Sequence, residues 1–433
     1  MQNRVHLFIV LLTALASFPA LAGSVPGVTD KEIVLGSILP LEGRAAGLGQ
    51  GMRAGLEGAL AGQHVGERGV RVLYMDDLYE ASLTPLKVRK LIRKGIFAMI
   101  GNVGTPTAAV SLPMLKAAGV PALGFFTGAG LLRTGDGPVL NYRASYVQET
   151  SAVIEAALKA GLKAEQVCAY VQNDAYGKAG LIGVQAALKQ AGAPQTVLEG
   201  LDTLLANSTA GQLVLQTGAG APVNKNGPVG VYIRNSREVL PGYESLKNWE
   251  KKTGYPCALV VTVGAYDNIA RFVHEARSRG ESWIISAVSF TGADNFSREL
   301  RRLGDTRNIV MSQVVPLLDS DLPIVKEARR VLGADFGFVS LEGYIVGKIT
   351  LRLLGDTPPP LTREGFLEQA RKARFDLGGL NIDFTRNGHQ GSDLVLVSRL
   401  MDSGYRETGA KEWSEMLGWR PSEGSPNKGK HRK

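Results

Sequence analysis

The chain has 433 residues, 44% of them hydrophobic and 21% charged, which excludes disorder as its main state and suffices for two cores of ordinary size. Its 53 glycines follow no period of three, so a collagen-like reading fails, and they fit a chain with many tight strand-to-helix turns. The net charge of +9 comes from Lys and Arg scattered among acids; only the tail Lys428, Lys430, His431, Arg432 and Lys433 is densely basic, which reads as a solvated end and predicts no nucleic-acid partner.

The first predicted element is a secretion signal over residues 1–22. Arg4 gives a positive start, Leu7 to Leu15 is nearly free of polar groups, and Ala20-Leu21-Ala22 has the small-x-small form of a cleavage site. The apolar run is short for a bilayer span, so cleaved export is expected, with a retained anchor as the alternative. No Cys stands just after that run, and the expected product is a monomer free in the periplasm.

A first series of elements follows. Lys31 to Pro40 reads as a strand, followed by a Gly-rich turn from Gly43 to Gly49 and a small-residue helix from about Gln50 to Leu60. Val70 to Met75 is a strand ending on Asp76 and Asp77, and Pro85 to Lys94 a helix. Phe97 to Ile100 is a strand, Thr107 to Ala118 a helix, and Val120 to Phe126 a strand. Strand, turn and helix in repeated order predict a parallel sheet covered on both faces.

The second series has helices at Glu149 to Lys159, Gly180 to Lys189, Thr209 to Leu215, Asn268 to Arg277 and Asn295 to Arg302. Its strands are Gln166 to Gln172, Val229 to Ile233, Leu259 to Val263, Ser282 to Ala287 and Ile309 to Met311. The segments Ala219 to Pro228 and Glu238 to Tyr255 lengthen one region of it. Ile324 to Leu332 and Leu341 to Leu354 are helices again. Asp376 to Phe384 and Asp393 to Leu400 read as two strands of a hairpin around Arg386-Asn387-Gly388. No Pro/Gly/Ser linker separates the series, so the fold class is α/β, with two lobes and a chain that crosses between them more than once. The expected division is 23–143 for lobe 1, 144–338 for lobe 2, 339–404 for a hinge crossing and return to lobe 1, and 405–433 for a polar, disordered tail.

Cys168 and Cys257, the two cysteines, each lie in or beside a strand-like apolar run, where an inert buried thiol is usual. Export permits a disulfide, and the sequence leaves the pairing open.

In open α/β sheets ligands bind beyond the carboxyl ends of strands, near the point where strand order reverses. Thr105 follows the third strand, where its hydroxyl and the next helix's first N–H groups can hold a carboxylate. Thr127 follows Phe125 and Phe126, which make an aromatic wall. Tyr176 and Tyr266 follow strands of the second series, and Asp294 offers a carboxylate to a ligand ammonium. Each alone is more often a cap or turn residue; their equivalent placement favours a crevice. Catalytic, metal and cofactor sites find no support. His6, His64, His274, His389 and His431 show no metal-ligand spacing, no Gly-x-Ser-x-Gly elbow or P-loop occurs, and Gly43 to Gly51 lacks dinucleotide-binding spacing.

Ile33-Val34-Leu35-Gly36 with Pro40-Leu41-Glu42-Gly43, Asp76-Asp77, Gly119-Val120-Pro121, Asp174-Ala175-Tyr176-Gly177 and Ser340-Leu341-Glu342-Gly343-Tyr344 stand in this order between about Lys31 and Arg399. In this the sequence resembles the periplasmic solute-binding proteins of ABC importers, in the Leu/Ile/Val-binding group with the type I periplasmic-binding fold. The resemblance implies two Rossmann-like lobes with parallel sheets, a multi-strand hinge, closure on a ligand, and a membrane permease or other inner-membrane transporter as partner. Carried over residue by residue, Thr105 takes the first hydroxyl position, Tyr176 and Tyr266 the two tyrosines, and Asp294 the acid. The second hydroxyl position falls on Ala129 by direct register, with Thr127 as a substitute two residues earlier. An amino acid or similar small carboxylate is the implied ligand. The Phe125-Phe126 wall keeps a more hydrophobic one, such as a sterol-like or hopanoid lipid, in competition. Sensing for a membrane signalling partner is the further alternative.

Overall fold

The structure is a computed structural model that describes residues 25–135, 137–208, 212–214 and 220–418. The expected signal segment, the basic tail and most of the helix expected over 209–215 lie outside the described residues.

Lobe 1 carries β1(Glu32–Leu39), β2(His64–Val65), β3(Arg68–Asp76), β4(Met99–Ile100), β5(Ala122–Leu123) and β6(Val139–Leu140) in the order β2-β3-β1-β4-β5-β6. All pairs are parallel except β2 with β3. Its early helices are α1(Ala46–Leu60), α2(Thr84–Arg93) and α3(Thr105–Ala117). β1 is a run of Ile, Val and Leu buried almost throughout, as a strand covered on both faces must be.

Lobe 2 begins with α4(Tyr146–Lys159), β7(Val167–Gln172), α5(Ala175–Gln190), α6(Gln195–Ala206), β8(Val229–Tyr232) and α7(Leu240–Thr253). It continues with β9(Leu259–Val263), α8(Tyr266–Ser278), β10(Ile284–Ala287), α9(Ala293–Leu303) and β11(Ile309–Gln313). Then α10(Pro323–Leu332), α11(Phe338–Asp356) and α12(Arg363–Lys372) return to lobe 1, where α10 and α11 pack on α1. β12(Arg374–Leu377) and β13(Leu380–Asp383) form a small antiparallel hairpin. Finally β14(Leu396–Met401), β15(Gly404–Glu407) and α13(Ala410–Gly418) join lobe 2, whose sheet runs β15-β14-β11-β10-β9-β7-β8.

Three chain passages connect the lobes. The hinge strands lie side by side: the Asn141 N–H donates to His389 O at 2.9 Å and the Ser392 N–H to Tyr142 O at 2.9 Å. The Tyr142 hydroxyl, donating to Val314 O at 3.2 Å, ties in the third passage.

Several boundaries differ from the sequence reading. Asp376 to Phe384 overlaps a hairpin that starts at Arg374 and turns at Gly378-Gly379, and Asp393 to Leu400 pairs antiparallel with β11 and β15 instead of with it. The return to lobe 1 comes at α10, earlier than the expected residue 339. The segment from 405 to 418 is no disordered tail but ordered lobe 2 structure, with Trp413 and Met416 buried. The polar stretch from Glu238 to Tyr255 is mostly α7.

Cys168 and Cys257 form a disulfide with a Cα–Cα distance of 5.6 Å. It links β7 to the segment entering β9, two neighbouring strands of lobe 2.

Candidate functional site

Both sheets reverse their strand order beside their first strand. In lobe 1 the chain goes from β1 to β3 on one side and β4 on the other; in lobe 2, from β7 to β8 and then β9. A crevice opens at such a reversal, beyond the carboxyl ends of the strands. The lobes face each other at these two points.

On the lobe 1 side, Gly104 at φ +113 turns the chain into α3, a backbone conformation that L side chains avoid. Thr105 and Thr127 share a hydrogen bond of 2.6 Å between their hydroxyls, and both are fully buried. Tyr79 comes from the turn after β3, where Leu78 and Tyr79 both hold positive φ, 55° and 59°. Such strain in bulky residues persists only where neighbours enforce it. Asp76 accepts from the Leu78 N–H at 2.8 Å, and Asp77 accepts from the Tyr79 N–H at 3.1 Å and the Thr84 hydroxyl at 2.8 Å.

From lobe 2, Asp174 caps α5 by accepting from the Tyr176 N–H at 2.9 Å. This fixes Tyr176, whose ring centroid lies 5.2 Å from Tyr146 and 4.6 Å from Phe290. Phe290 also meets the lobe 1 rings Phe126 at 5.3 Å and Tyr79 at 5.9 Å. These spacings suit tilted aromatic contact. The Gln172 amide of lobe 2 donates to the Tyr79 hydroxyl at 3.2 Å. Phe290 is thus the hub of an aromatic cluster drawn from both lobes.

Behind Phe126 lies Arg143, just past β6, with 1% of its surface exposed. Its guanidinium stands 4.4 Å from the Phe126 ring centroid, a cation–π distance, and donates through Nη2 to the Ser289 hydroxyl. Nε is 3.4 Å from Glu342 Oε1, yet neither atom satisfies hydrogen-bond geometry; the pair is electrostatic without being a made bond. Glu149 accepts from the Ser289 N–H at 2.7 Å and the Ser312 hydroxyl at 2.6 Å.

Burial pushes the Glu342 carboxyl up to about 7 from an ordinary 4.5, against the pull of Arg143 and with a further push from Glu149. Burial likewise pushes Asp77 up to about 6. The folded protein therefore holds protons here that the unfolded chain has released. Stability from Glu342 is complete below about 4.5 and is lost as the pH rises through about 7. In urea melts between pH 4.5 and 7.5 we expect Glu342→Gln to gain on the wild type as the pH rises. A Glu342→Gln variant that loses ground to the wild type over this window would show that the carboxylate form is the one the fold favours.

At the mouth, Arg234 donates to Glu80 of lobe 1 at 2.9 Å and to Asp174 at 2.9 Å, and Asn235 donates to Glu80 at 2.7 Å. A cavity of about 720 Å³ lies there, lined by Glu80, Pro106, Val110, Asp174 and Arg234.

The structure brings Thr105, Phe126, Thr127 and Tyr176 together. Phe125 is buried beside them but makes none of the ring contacts among the described residues. Tyr266 and Asp294 stand elsewhere. The Tyr266 hydroxyl accepts from the Gly47 N–H at 3.2 Å, and Asp294 accepts from the Phe338 N–H at 2.7 Å, holding the start of α11. Asp294 lines a separate interlobe groove of about 370 Å³ with Gln50 and Asn295. Sequence reasoning missed Tyr79, Arg143, Tyr146 and Phe290. Two carried a signal, since Tyr79 follows the Asp76-Asp77 strand end and Phe290 lies in the segment before Asp294. Among the described residues no group of three or more His, Cys, Asp or Glu is placed to hold a metal ion.

The profile of the family described as "Periplasmic binding protein" matches residues 32–404. No curated protein matches the chain. Among solved structures, a possible leucine/isoleucine/valine-binding protein from Rhodopirellula baltica is 30% identical, with 90% of this chain and 99% of that one covered and a TM-score of 0.76. A substrate-binding periplasmic protein from Ralstonia solanacearum is 23% identical, with 87% and 99% covered and a TM-score of 0.70. An ABC-transporter solute-binding protein from R. palustris, in complex with 4-hydroxybenzoate, shares the fold at 15% identity, with 88% and 96% covered and a TM-score of 0.68.

Proposed function

The chain belongs to the periplasmic binding protein family, as a non-catalytic periplasmic or extracellular protein that holds a small solute between two lobes for an ABC transporter, and from that premise we propose that the solute is a small carboxylic acid with an apolar body. An apolar amino acid is the first candidate and an aromatic acid the second. The observation that carries the reading is the interlobe cluster of Tyr79, Phe126, Tyr146, Tyr176 and Phe290, with a hydroxyl pair and a buried guanidinium at its edge. Rings bury an apolar body, and a few polar groups fix its orientation. The Rhodopirellula and R. palustris proteins, described above by acids of these two kinds, support the same class.

A bulky neutral lipid would cover the rings but offer the free guanidinium donors no anionic acceptor, and buried donors left without one are costly. Ligand held on one lobe draws in the other by shifting the open–closed population, and Phe290 meeting Phe126 and Tyr79 marks the closed form.

Mass spectrometry of solutes that co-purify from the native compartment tests the class, since recovery of a neutral lipid alone would reject it. Tyr176→Ala is expected to weaken the recovered ligand roughly 10- to 100-fold while the circular dichroism stays that of a folded chain. Unchanged affinity would move the site to the Asp294 groove.

A further inference from the structure

Two places in the cleft could hold the charge of an acid. One is the start of α3, where helix N–H groups favour anions. There the Tyr79 ring is pressed against Gly104 so closely that a Cβ on that glycine would come within 2.5 Å of it. The Thr105 hydroxyl is already engaged with Thr127. The helix start is covered.

The other place is Arg143. It is almost wholly buried, and its Nε and Nη1 have no hydrogen-bond partner among the described residues. Buried guanidinium N–H groups are rarely left so, because each carries a desolvation cost that only an acceptor offsets. The acids facing it offset its charge but accept no hydrogen bond from Nε or Nη1. Glu342 stands 3.4 Å from Nε without hydrogen-bond geometry, and Glu149 spends one oxygen on Ser289 and Ser312. The neighbouring Arg133 gives its own donors to Gln390, Ala129 O and Arg143 O. Nor is Arg143 walled off from the cluster, since it touches Phe126 and the Ser289 turn that carries Phe290. The Thr291 hydroxyl on that turn is likewise buried and unpartnered among the described residues.

We propose that Arg143 is the specificity-determining residue that binds the ligand's carboxylate, displacing this role from the start of α3. The inference rests on the carboxylic-acid reading above. The guanidinium carries a full positive charge and an Nη1 donor left without an acceptor, so an anionic carboxylate oxygen meets both charge and donor there, where a neutral amide oxygen meets the donor alone. Because Arg143 stands on a hinge passage and reaches Ser289 of lobe 2, the acid it binds lies where closure is felt.

The test is calorimetric binding to the full chain of matched acid and amide pairs: L-leucine and L-leucinamide, L-phenylalanine and its amide, 4-hydroxybenzoate and 4-hydroxybenzamide. The wild type is expected to prefer at least one acid over its amide by roughly 100-fold or more. Arg143→Gln and Arg143→Lys should cut that preference below roughly 10-fold, whereas Thr105→Val should weaken acid and amide alike and leave their ratio in place. If Arg143→Gln does not fold, Arg143→Gln with Glu342→Gln removes one charge of each sign and takes its place. A preference that survives loss of the guanidinium, or that collapses in Thr105→Val, overturns the assignment while the solute class stands. A wild type that binds none of the acids removes the class and the assignment together.

Discussion

Gly55→Ala is expected to destabilise the protein by about 3 kcal/mol or more, although alanine is the better helix former by about 1 kcal/mol. α1 and α11 cross with their backbones nearly touching. A Cβ at Gly55 would sit 2.1 Å from Ser340 O and 2.6 Å from Tyr344 N, and one at Gly343 would sit 2.6 Å from Met52 O. No rotamer change relieves a clash with backbone, so the helices must separate, and α11 carries Glu342 toward Arg143. Gly355, near the end of α11, meets nothing within 4 Å, and Gly355→Ala should stabilise by up to about 1 kcal/mol. Urea midpoints of the two variants should move in opposite directions. A Gly55→Ala midpoint at or above the wild type would mean that the helices are not packed this closely.

Removing the disulfide should have an effect of similar size. The Cys168–Cys257 bond closes a loop with a sequence separation of 89, and chain entropy puts its stabilisation at about 4–5 kcal/mol. The loop lies wholly within lobe 2, so the loss should fall there. Cys168→Ala with Cys257→Ala should split the calorimetric trace, lowering one transition and leaving the lobe 1 transition near its place. A single transition moving as a whole would show that the lobes unfold together. The bond also fits an oxidising compartment, in keeping with a periplasmic or extracellular location.

The sequence exposed the fold where elements are long and buried on both faces. β9 runs Leu259–Val263 as the apolar run predicts, and β1 differs by a residue at each end. It misled where pairing is non-local. Nothing in Asp393 to Leu400 says that its partner is β11, more than eighty residues earlier, and the sequence offers the nearer stretch from Asp376 in its place. The polar α7 hid because half its surface faces solvent. For the candidate site, strand-end logic pointed to Thr105, Thr127 and Tyr176, which the parallel sheets deliver to one crevice. Asp294 lies apart from them at the start of α11, because an acid that caps a distant helix and one at a crevice look alike in sequence. The contacts of Arg143 and Phe290 across the cleft depend on how one lobe lies on the other, which no local pattern encodes.

Neither lobe is written as one continuous passage of the chain. Lobe 1 needs α11, which packs on α1 from nearly three hundred residues away, and the lobe 2 sheet ends in β14 and β15. A growing polypeptide therefore owns no finished lobe until its last hundred residues have been made. Contacts of such long range form late and slowly. Order in either lobe is therefore a property of distant parts of the chain held together, and not of any one stretch of it.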